Sequence, residues 1–493
     1  MTPSASRFAF RLKSFPDVLS PFMPLLPVVA GVIFLGWMLT FAVPHLHFSG
    51  DGSLKELLMN SWKTEGRLTS TIEWPHHSDW VDSLWERYGY PLGPPFLHKN
   101  NVVFPPFFLV LTFPFFAALG YAGLFVLPVL SVVGLWAVIW IVLRRQGFSS
   151  GPIGLALTLV VFSPVTYYGA MFWEHAPGLF FIFLPFALGL FEKDRGAWRY
   201  GLCGASLVFA VALRQELAPA ALLFYIFGWQ RSNKRYALLT GAVIAALCVF
   251  MVNLLATGTV LSLHGKQTFY LAGGDVLVKL AFYYKTVLRD FFAGALAILA
   301  VLTVGLASLI WLRDSKRERY VILGAVAFTL LVMPFIVPNF GGYQIFRRYE
   351  LMFIPAGALV AAHLWRWHRI LGIALLALIL LDIPDLISMS DELRWAYGDR
   401  VATLDRAVEE RQPACVITYC PTMPEKFSQC PIIELAWRIP EIPFVRARSA
   451  GELEPLIEDV ARHVPVDRIA LVVFMPRHRH PLLVQFSDGR ELV

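Results

Sequence analysis

The fold depends on how one apolar block, residues 104–145, is divided; it reads FPPFFLVLTFPFFAALGYAGLFVLPVLSVVGLWAVIWIVLRR. Its first part, Phe104 to Gly120, is seventeen residues long and contains three prolines. Its second part, Tyr121 to Leu143, meets the ~20 residues that a helix needs to cross a bilayer. The block therefore encodes either two spans, or a short interfacial segment followed by one span.

Basic clusters along the chain decide between these two interpretations. Short loops that are rich in Lys and Arg stay in the cytoplasm, and this bias sets the orientation of the whole chain. One span within the block places every short cluster in the cytoplasm, whereas two spans would split the clusters between the two sides or put them outside. We therefore predict one span. The clusters are Arg144–Arg145, Lys193–Arg199, Arg231–Arg235, Arg313–Arg319 and Arg366–Arg369.

Composition indicates an integral membrane protein. Hydrophobic residues make up 57% of the chain and charged residues only 16%, and the mean hydropathy is +0.60. A soluble domain cannot bury so much apolar surface and still cover itself with polar groups. The net charge of +7 comes from clusters between apolar blocks, which suits anionic lipid and argues against nucleic acid as a partner.

The predicted fold is an all-α polytopic membrane domain followed by a small α/β domain. Arg7, Arg11 and Lys13 precede the first span, so the N-terminus is cytoplasmic and about eleven crossings leave the C-terminus outside. Residues 1–387 form the transmembrane domain with a large first external loop (45–103), and residues 388–493 form the extracytoplasmic domain. The predicted spans are 22–43, 121–143, 151–171, 176–191, 199–216, 217–230, 236–256, 290–312, 319–338, 349–366 and 369–385.

The polar tail has the pattern of a small α/β domain. Alternating and amphipathic segments predict a helix, a strand, a second helix and an apolar strand, in that order. Three cysteines in the tail, Cys415, Cys420 and Cys430, can form one disulfide if the tail lies in an oxidising compartment. The four segments are Ser390–Arg411, Ala414–Tyr419, Ala450–His463 and Arg468–Met475.

Asp51 is the strongest candidate for a catalytic residue. It lies a few residues past the first span, in the run Ser49 to Ser53, and a helical stretch from Leu54 to Glu65 follows it. A carboxylate at the membrane surface can accept a proton from an acceptor hydroxyl or hold a metal ion. The structural alternative is an N-cap for the helix that follows, because Asp is common at that position.

Seven motifs follow one another along the chain: Gly50-Asp51-Gly52, Gly66, Tyr90 to Pro94, Phe104 to Gly120, Gly341-Gly342, Arg348-Tyr349 and Pro355. In the order of these motifs the chain resembles the C-type glycosyltransferase superfamily, which includes the protein O-mannosyltransferases and the aminoarabinose transferases. That resemblance implies a catalytic Asp51, a polyprenyl-phosphate-linked sugar as donor, and a multi-pass protein of the bacterial inner (plasma) membrane with its active site on the periplasmic face. One departure is Gly52, which stands where many members have Glu, so that Asp51 acts alone or with Glu56 or Glu65.

Further candidates could bind the donor phosphate. Arg347 and Arg348 are predicted to face outward just before a span, where guanidinium groups match phosphate oxygens; the alternative is a simple interfacial anchor. Lys266 lies in a second external loop with His264 and Gln267, where all three could bind phosphate or sugar.

Two pairs of ionisable residues fall at or near membrane depth. Arg214 and Glu216 approach the outer face, where such groups usually line a cavity or pair with others. They are too close in sequence to face each other along a helix, so separate partners are expected. Glu174 and His175 occupy a short external turn, either contacting the acceptor or a metal, or simply exposed.

The sequence predicts an inverting transferase for a lipid-linked sugar, with Asp51 as base. It specifies no cofactor, and the use of a divalent metal ion is left as an alternative. The pair His76-His77 lies near Asp79 and Asp82, but these residues lack a convincing ligand spacing. A transporter or flippase of lipid-linked glycans is one alternative, and a polysaccharide polymerase or ligase is another. Four tryptophans of the first loop are candidate sugar platforms: Trp62, Trp74, Trp80 and Trp85.

Overall fold

The chain is mostly helical in a computed structural model, with a small sheet near the C-terminus. The structure describes residues 24–42, 50–72, 78–88, 97–98, 101–102, 104–192, 195–231, 233–260, 351–367, 369–370, 372–374, 377, 387, 410–419, 442–447, 449–473, 483–486 and 491–492. The predicted spans 290–312 and 319–338 lie outside the described residues, as does nearly all of 369–385.

Helices alternate with short turns over most of the described chain. The N-terminal elements are α1 (Leu25–Ala42), α2 (Gly50–Glu65), α3 (Asp79–Tyr88), β1 (Leu97–His98), β2 (Asn101–Val102), α4 (Pro106–Leu119) and α5 (Tyr121–Arg145). The middle elements are α6 (Ser150–Val161), α7 (Pro164–Tyr167), α8 (His175–Leu188), α9 (Ala197–Leu213), α10 (Ala218–Arg231), α11 (Arg235–Thr257) and α12 (Phe353–Trp367). The C-terminal elements are β3 (Cys415–Tyr419), β4 (Phe444–Ala447), α13 (Leu453–Ala461), β5 (Ile469–Val473), β6 (Leu483–Phe486) and β7 (Glu491–Leu492).

The apolar block divides at Gly120, as the sequence predicts. Gly120 has a positive φ of 59°, a backbone conformation that glycine adopts without steric cost, and it separates α4 from α5. A Cβ on the nearby Gly123 would lie 2.1 Å from the carbonyl oxygen of Phe115, so the turn is tight. The first part of the block is thus a separate helix of 14 residues, and the second a helix of 25 residues.

Two of the described helices, α5 and α11, are long and apolar enough to cross a membrane. They correspond to the predicted spans 121–143 and 236–256. The single helix predicted over 151–171 is wrong: α6 ends at Val161, and Pro164 begins the separate turn α7. Ser163 caps that turn by accepting a hydrogen bond from the Val165 amide at 3.3 Å, and proline is favourable at a first helical position.

Contacts divide the chain into two compact units. The first comprises residues 1–39, 125–250 and 268–389, and the second comprises residues 40–124, 251–267 and 390–493. In the first unit α9 lies against α8 and α6 against α12. Gly201 and Gly241 allow α9 and α11 to approach closely, because a Cβ on Gly241 would lie 1.9 Å from the Gly201 carbonyl oxygen. Small residues at such crossings are typical of packed helices in membranes.

The second unit contains a five-stranded mixed sheet in the order β4-β3-β5-β6-β7. The central strand β3 pairs in parallel with β4 and with β5, whereas β6 and β7 continue the sheet in antiparallel orientation. Three predictions for the tail are confirmed: β3, the amphipathic helix α13 and the apolar strand β5. The predicted helix Ser390–Arg411 lies outside the described residues except for its last two positions, which are helical.

Candidate functional site

Asp51 lies in the first turn of α2. The helix begins at Gly50, earlier than the predicted Leu54, so Asp51 is inside the helix and does not precede it as an N-cap would. The helix ends at Glu65, and Gly66 follows with a positive φ of 68°, as the predicted Gly66-Arg67 stop requires. The first turn is the positive end of the helix dipole, which stabilises a carboxylate or another anion there.

Lys55 follows Asp51 by one helical turn and is buried. Residues four apart lie on the same face of a helix, so the two positions are neighbours on α2. The Lys55 side chain is only 2% exposed, and its Nζ lies 4.8 Å from the ring centroid of Phe104 and 5.4 Å from that of Phe108. Aromatic faces attract a cation by up to about 2 kcal/mol where water is excluded. A buried lysine therefore lies one helical turn from the position of the candidate base.

Sequence reasoning missed Lys55, because a lysine on an amphipathic helix usually points into water. Its burial depends on Phe104 and Phe108, which are about fifty residues away along the chain. The two rings are four residues apart, one just before α4 and one in its first turn, and this spacing was the available signal. Nothing in the sequence pairs that end of α4 with α2.

The two carboxylates proposed as companions of Asp51 have different environments. Glu56 is buried, at 4% exposure, and accepts a 3.4 Å hydrogen bond from Asn60 Nδ2. Glu65 lies at the other end of α2, about 21 Å from Asp51 at 1.5 Å per residue, and pairs with Arg67 Nε at 2.6 Å. A role for Glu65 beside Asp51 is therefore wrong, whereas Glu56 remains at the correct end of the helix.

Arg214 joins Glu174 and Glu216 in a largely buried charge cluster. Arg214 Nη1 lies 3.4 Å from Glu174 Oε1, and the same guanidinium also pairs with Glu216. The three side chains are 11–13% exposed. The expectation of separate partners for Arg214 and Glu216 is wrong. Helix α9 ends at Leu213, and the extended backbone of Arg214 (φ −142°, ψ 104°) turns its side chain back toward Glu216.

His175 lies next to this cluster within an aromatic group. It begins α8 and is 4% exposed as a whole residue, and Glu174 is 8% exposed on the same whole-residue measure. The alternative of an exposed turn is therefore wrong for both residues. The imidazole centroid lies 4.7 Å from the Tyr168 ring and 5.2 Å from the Trp173 ring. The structure thus brings four of the predicted residues into one neighbourhood: Glu174, His175, Arg214 and Glu216.

Two of the first-loop tryptophans are structural. Trp62 and Trp85 are both 2% exposed, and each indole N–H donates to a backbone carbonyl, that of Thr69 at 2.6 Å and that of Phe444 at 2.9 Å. Buried indoles that already donate their N–H cannot serve as open sugar platforms, so that prediction is wrong for these two residues. Trp80 is partly exposed and stacks on His463.

Several predicted residues lie outside the described residues. They include the proposed phosphate ligands Arg347, Arg348 and Lys266, the neighbouring His264 and Gln267, the pair His76-His77, Trp74, Cys420 and Cys430. Within the part of the chain that the structure describes, no three His, Cys, Asp or Glu side chains cluster as metal ligands would. The third tail cysteine, Cys415, is fully buried in β3, and burial raises the pKa of its thiol to about 12.

Comparisons with family models, curated proteins and solved structures found no match to this chain.

Proposed function

We propose that this protein is a multi-pass membrane glycosyltransferase that transfers a sugar from a polyprenyl-phosphate donor to an acceptor at the external face. The observation that carries the proposal is the start of α2, where Asp51 precedes by one turn the buried Lys55, whose Nζ lies over the rings of Phe104 and Phe108. A base and a cation beside an apolar helix suit a substrate that combines a phosphate with a long hydrocarbon tail.

The proposed reaction is a single displacement at the anomeric carbon. Asp51 removes the proton of the acceptor hydroxyl, and the acceptor oxygen forms a bond to the anomeric carbon from the side opposite the phosphate. The bond between that carbon and the phosphate oxygen breaks, and the polyprenyl phosphate leaves with the electron pair. Arg347, Arg348 and Lys266 are the proposed donors to this phosphate, and Lys55 adds positive charge near the base.

The proposed topology has about eleven crossings, with the N-terminus inside and the C-terminal domain outside. Support comes from two described helices that are long and apolar enough to span, and from the basic clusters, which all lie on one side under this count. The proposed location is the inner (plasma) membrane of a bacterium, with Asp51 on its periplasmic face. The shorter apolar helices would cross with little tilt from the bilayer normal and would pack against neighbouring helices.

The activity test uses purified protein in detergent with a panel of synthetic undecaprenyl-phosphate monosaccharides. Water takes the place of the acceptor hydroxyl in this assay, so we expect the wild type to release undecaprenyl phosphate and free sugar from one member of the panel. Asp51→Asn should lose at least about 100-fold in rate, because the amide cannot accept the proton. Asp467→Asn, at an exposed position of the tail, is the matched control and should keep full activity.

The same assay distinguishes the alternatives. A transporter or flippase would consume no donor in detergent, because transport needs a sealed bilayer. A polymerase or ligase would consume donor only when a glycan acceptor is added. Activity of Asp51→Asn above a few per cent of wild type would reject Asp51 as the base.

Cysteine labelling in spheroplasts tests the proposed topology. With the five native cysteines replaced, Asp467→Cys should react with an impermeant maleimide before the membrane is permeabilised. Labelling only after permeabilisation would put the tail in the cytoplasm and reject the one-span division of residues 104–145.

A further inference from the structure

Helix α3, from the first polar segment, lies on the C-terminal sheet. It contacts β4, which is an edge strand because it pairs with β3 alone among the described strands, and it also contacts α13. The Trp85 indole donates its 2.9 Å hydrogen bond to the carbonyl of Phe444 in β4, and Val81, Leu84 and Trp85 are all buried. Edge strands expose unpaired backbone groups and are commonly covered by another element. Here α3 provides that cover.

Asp459 of α13 is the second point of attachment. Its carboxylate is 9% exposed and accepts hydrogen bonds from Tyr88 OH at 2.7 Å and from Arg87 Nη1 at 2.6 Å. Arg462 of its own domain lies 3.1 Å from the other carboxylate oxygen. Burial and the bond to Asp459 raise the pKa of Tyr88 to about 12. Arg87 is 65% exposed, so its ion pair contributes little, and the buried bonds of Tyr88 and Trp85 carry most of the attachment.

The described part of the chain that follows α2, residues 66–72, is also anchored by contacts of its own. After α2 ends, the Trp62 indole bonds back to Thr69, and Ile72 is 1% exposed. The described residues that follow α2, up to Ile72, are therefore anchored on the way toward the sheet-bound helix α3.

We infer that α3 is a structural helix of the C-terminal α/β domain, and that this domain thereby holds the first loop and the C-terminal end of α2 in place. The tail is then a positioning element for the candidate site and not a separate appendage. Atoms in hydrogen-bond contact cannot lie on opposite sides of a ~30 Å hydrocarbon layer, so the first loop and the tail share one side of the membrane. The inference does not depend on the transferase activity.

The test cuts the full-length chain between the tail and the rest of the protein, and then measures whether the two parts stay bound to each other. A protease site is inserted between Met389 and Ser390, at the boundary between the two compact units. After cleavage in detergent, we expect the tail to stay bound during affinity purification of the helical part. In the double variant Trp85→Phe/Tyr88→Phe, the ratio of released to retained tail should rise about tenfold, because two buried hydrogen bonds are lost.

Placing these changes in α3 leaves the sequence of the tail intact, so release cannot result from misfolding of the tail itself. Glu86→Gln, at an exposed position between the two altered residues, is the matched control and should retain the tail as wild type does. Hydrogen exchange gives a second readout: Asp459→Ala should accelerate exchange in residues 50–65, and the exposed neighbour Glu458→Ala should not. Release of the wild-type tail on cleavage, or equal retention in the double variant and the control, would overturn the inference.

Discussion

Two buried cations of this protein are held in opposite ways. Arg214 lies between two carboxylates, those of Glu174 and Glu216, so its cluster carries one more negative than positive charge. Lys55 lies against the faces of Phe104 and Phe108, which attract a cation without neutralising it. Both side chains are largely removed from water, and the contacts described around them differ in kind: carboxylates around Arg214 and aromatic rings around Lys55.

The difference separates a structural role from a functional one. Removing one member of a buried ion cluster leaves the others uncompensated, so the cost appears as lost stability. Replacing a cation by an apolar side chain of similar length keeps the packing against the aromatic rings and loses only their attraction for the charge. The cost of losing Lys55 should therefore appear mainly in the chemistry at Asp51, where positive charge favours the ionised base and the departing phosphate.

Arg214→Met should have the largest effect on stability. We expect a loss of about 3–5 kcal/mol, because Glu174 and Glu216 would both lose the cation that they share. Thermal unfolding in detergent measures it, with Lys234→Met at an exposed position as control. Adding Glu216→Gln to Arg214→Met should recover part of the loss, since it removes one of the two buried charges. A stability loss equal to that of Lys234→Met would show that Arg214 does not compensate the charge of the two carboxylates.

Lys55→Met should change activity more than stability. We expect a stability loss below about 2 kcal/mol, the size of a desolvated cation–π contact, and at least a tenfold fall in the rate of donor consumption. Lys55→Arg keeps the charge and should retain more activity than Lys55→Met. If Lys55→Met unfolds as easily as Arg214→Met, Lys55 is a structural cation of the same kind.

Gly178→Ala should have the smallest effect and probes how tightly Arg214 is held. An added Cβ would lie 3.0 Å from Arg214 Cγ and 3.2 Å from Leu217 Cδ1. The strain of about 1–3 kcal/mol should exceed the helix-propensity gain of up to about 1 kcal/mol, for a net loss near 1 kcal/mol. Gly36→Ala in α1 meets nothing within 4 Å and should be neutral or slightly stabilising. Equal melting temperatures of the two variants would mean that Arg214 can shift freely.

Local signals in the sequence predicted much of the fold. The break at Gly120, the apolar helices α5 and α11, the strand Cys415–Tyr419 and the helix stop at Gly66 were all predicted within a few residues. These features depend on composition, periodicity and the backbone freedom of glycine, each of which acts over a few neighbouring residues. The helix predicted over 151–171 failed because Pro164 begins a new turn there.

The candidate site was predictable only as a set of residue types. Asp51 could be singled out by its place after the first span, and Glu174, His175, Arg214 and Glu216 by their charge within apolar surroundings. Their pairing could not be predicted, because the Arg214–Glu216 contact requires a helix end at Leu213, and the Arg214–Glu174 contact joins residues forty positions apart.

The sequence by itself determined that this chain is apolar, mostly helical and provided with a small α/β tail, because those properties follow from short-range pattern. Only the tertiary structure decided that Lys55 is buried against α4 and that helix α3 belongs to the C-terminal sheet. The bond from Trp85 to Phe444 spans 359 positions of the chain, and no local pattern specifies which edge strand a distant amphipathic helix will cover. Burial of matching apolar faces makes that choice when the whole chain packs.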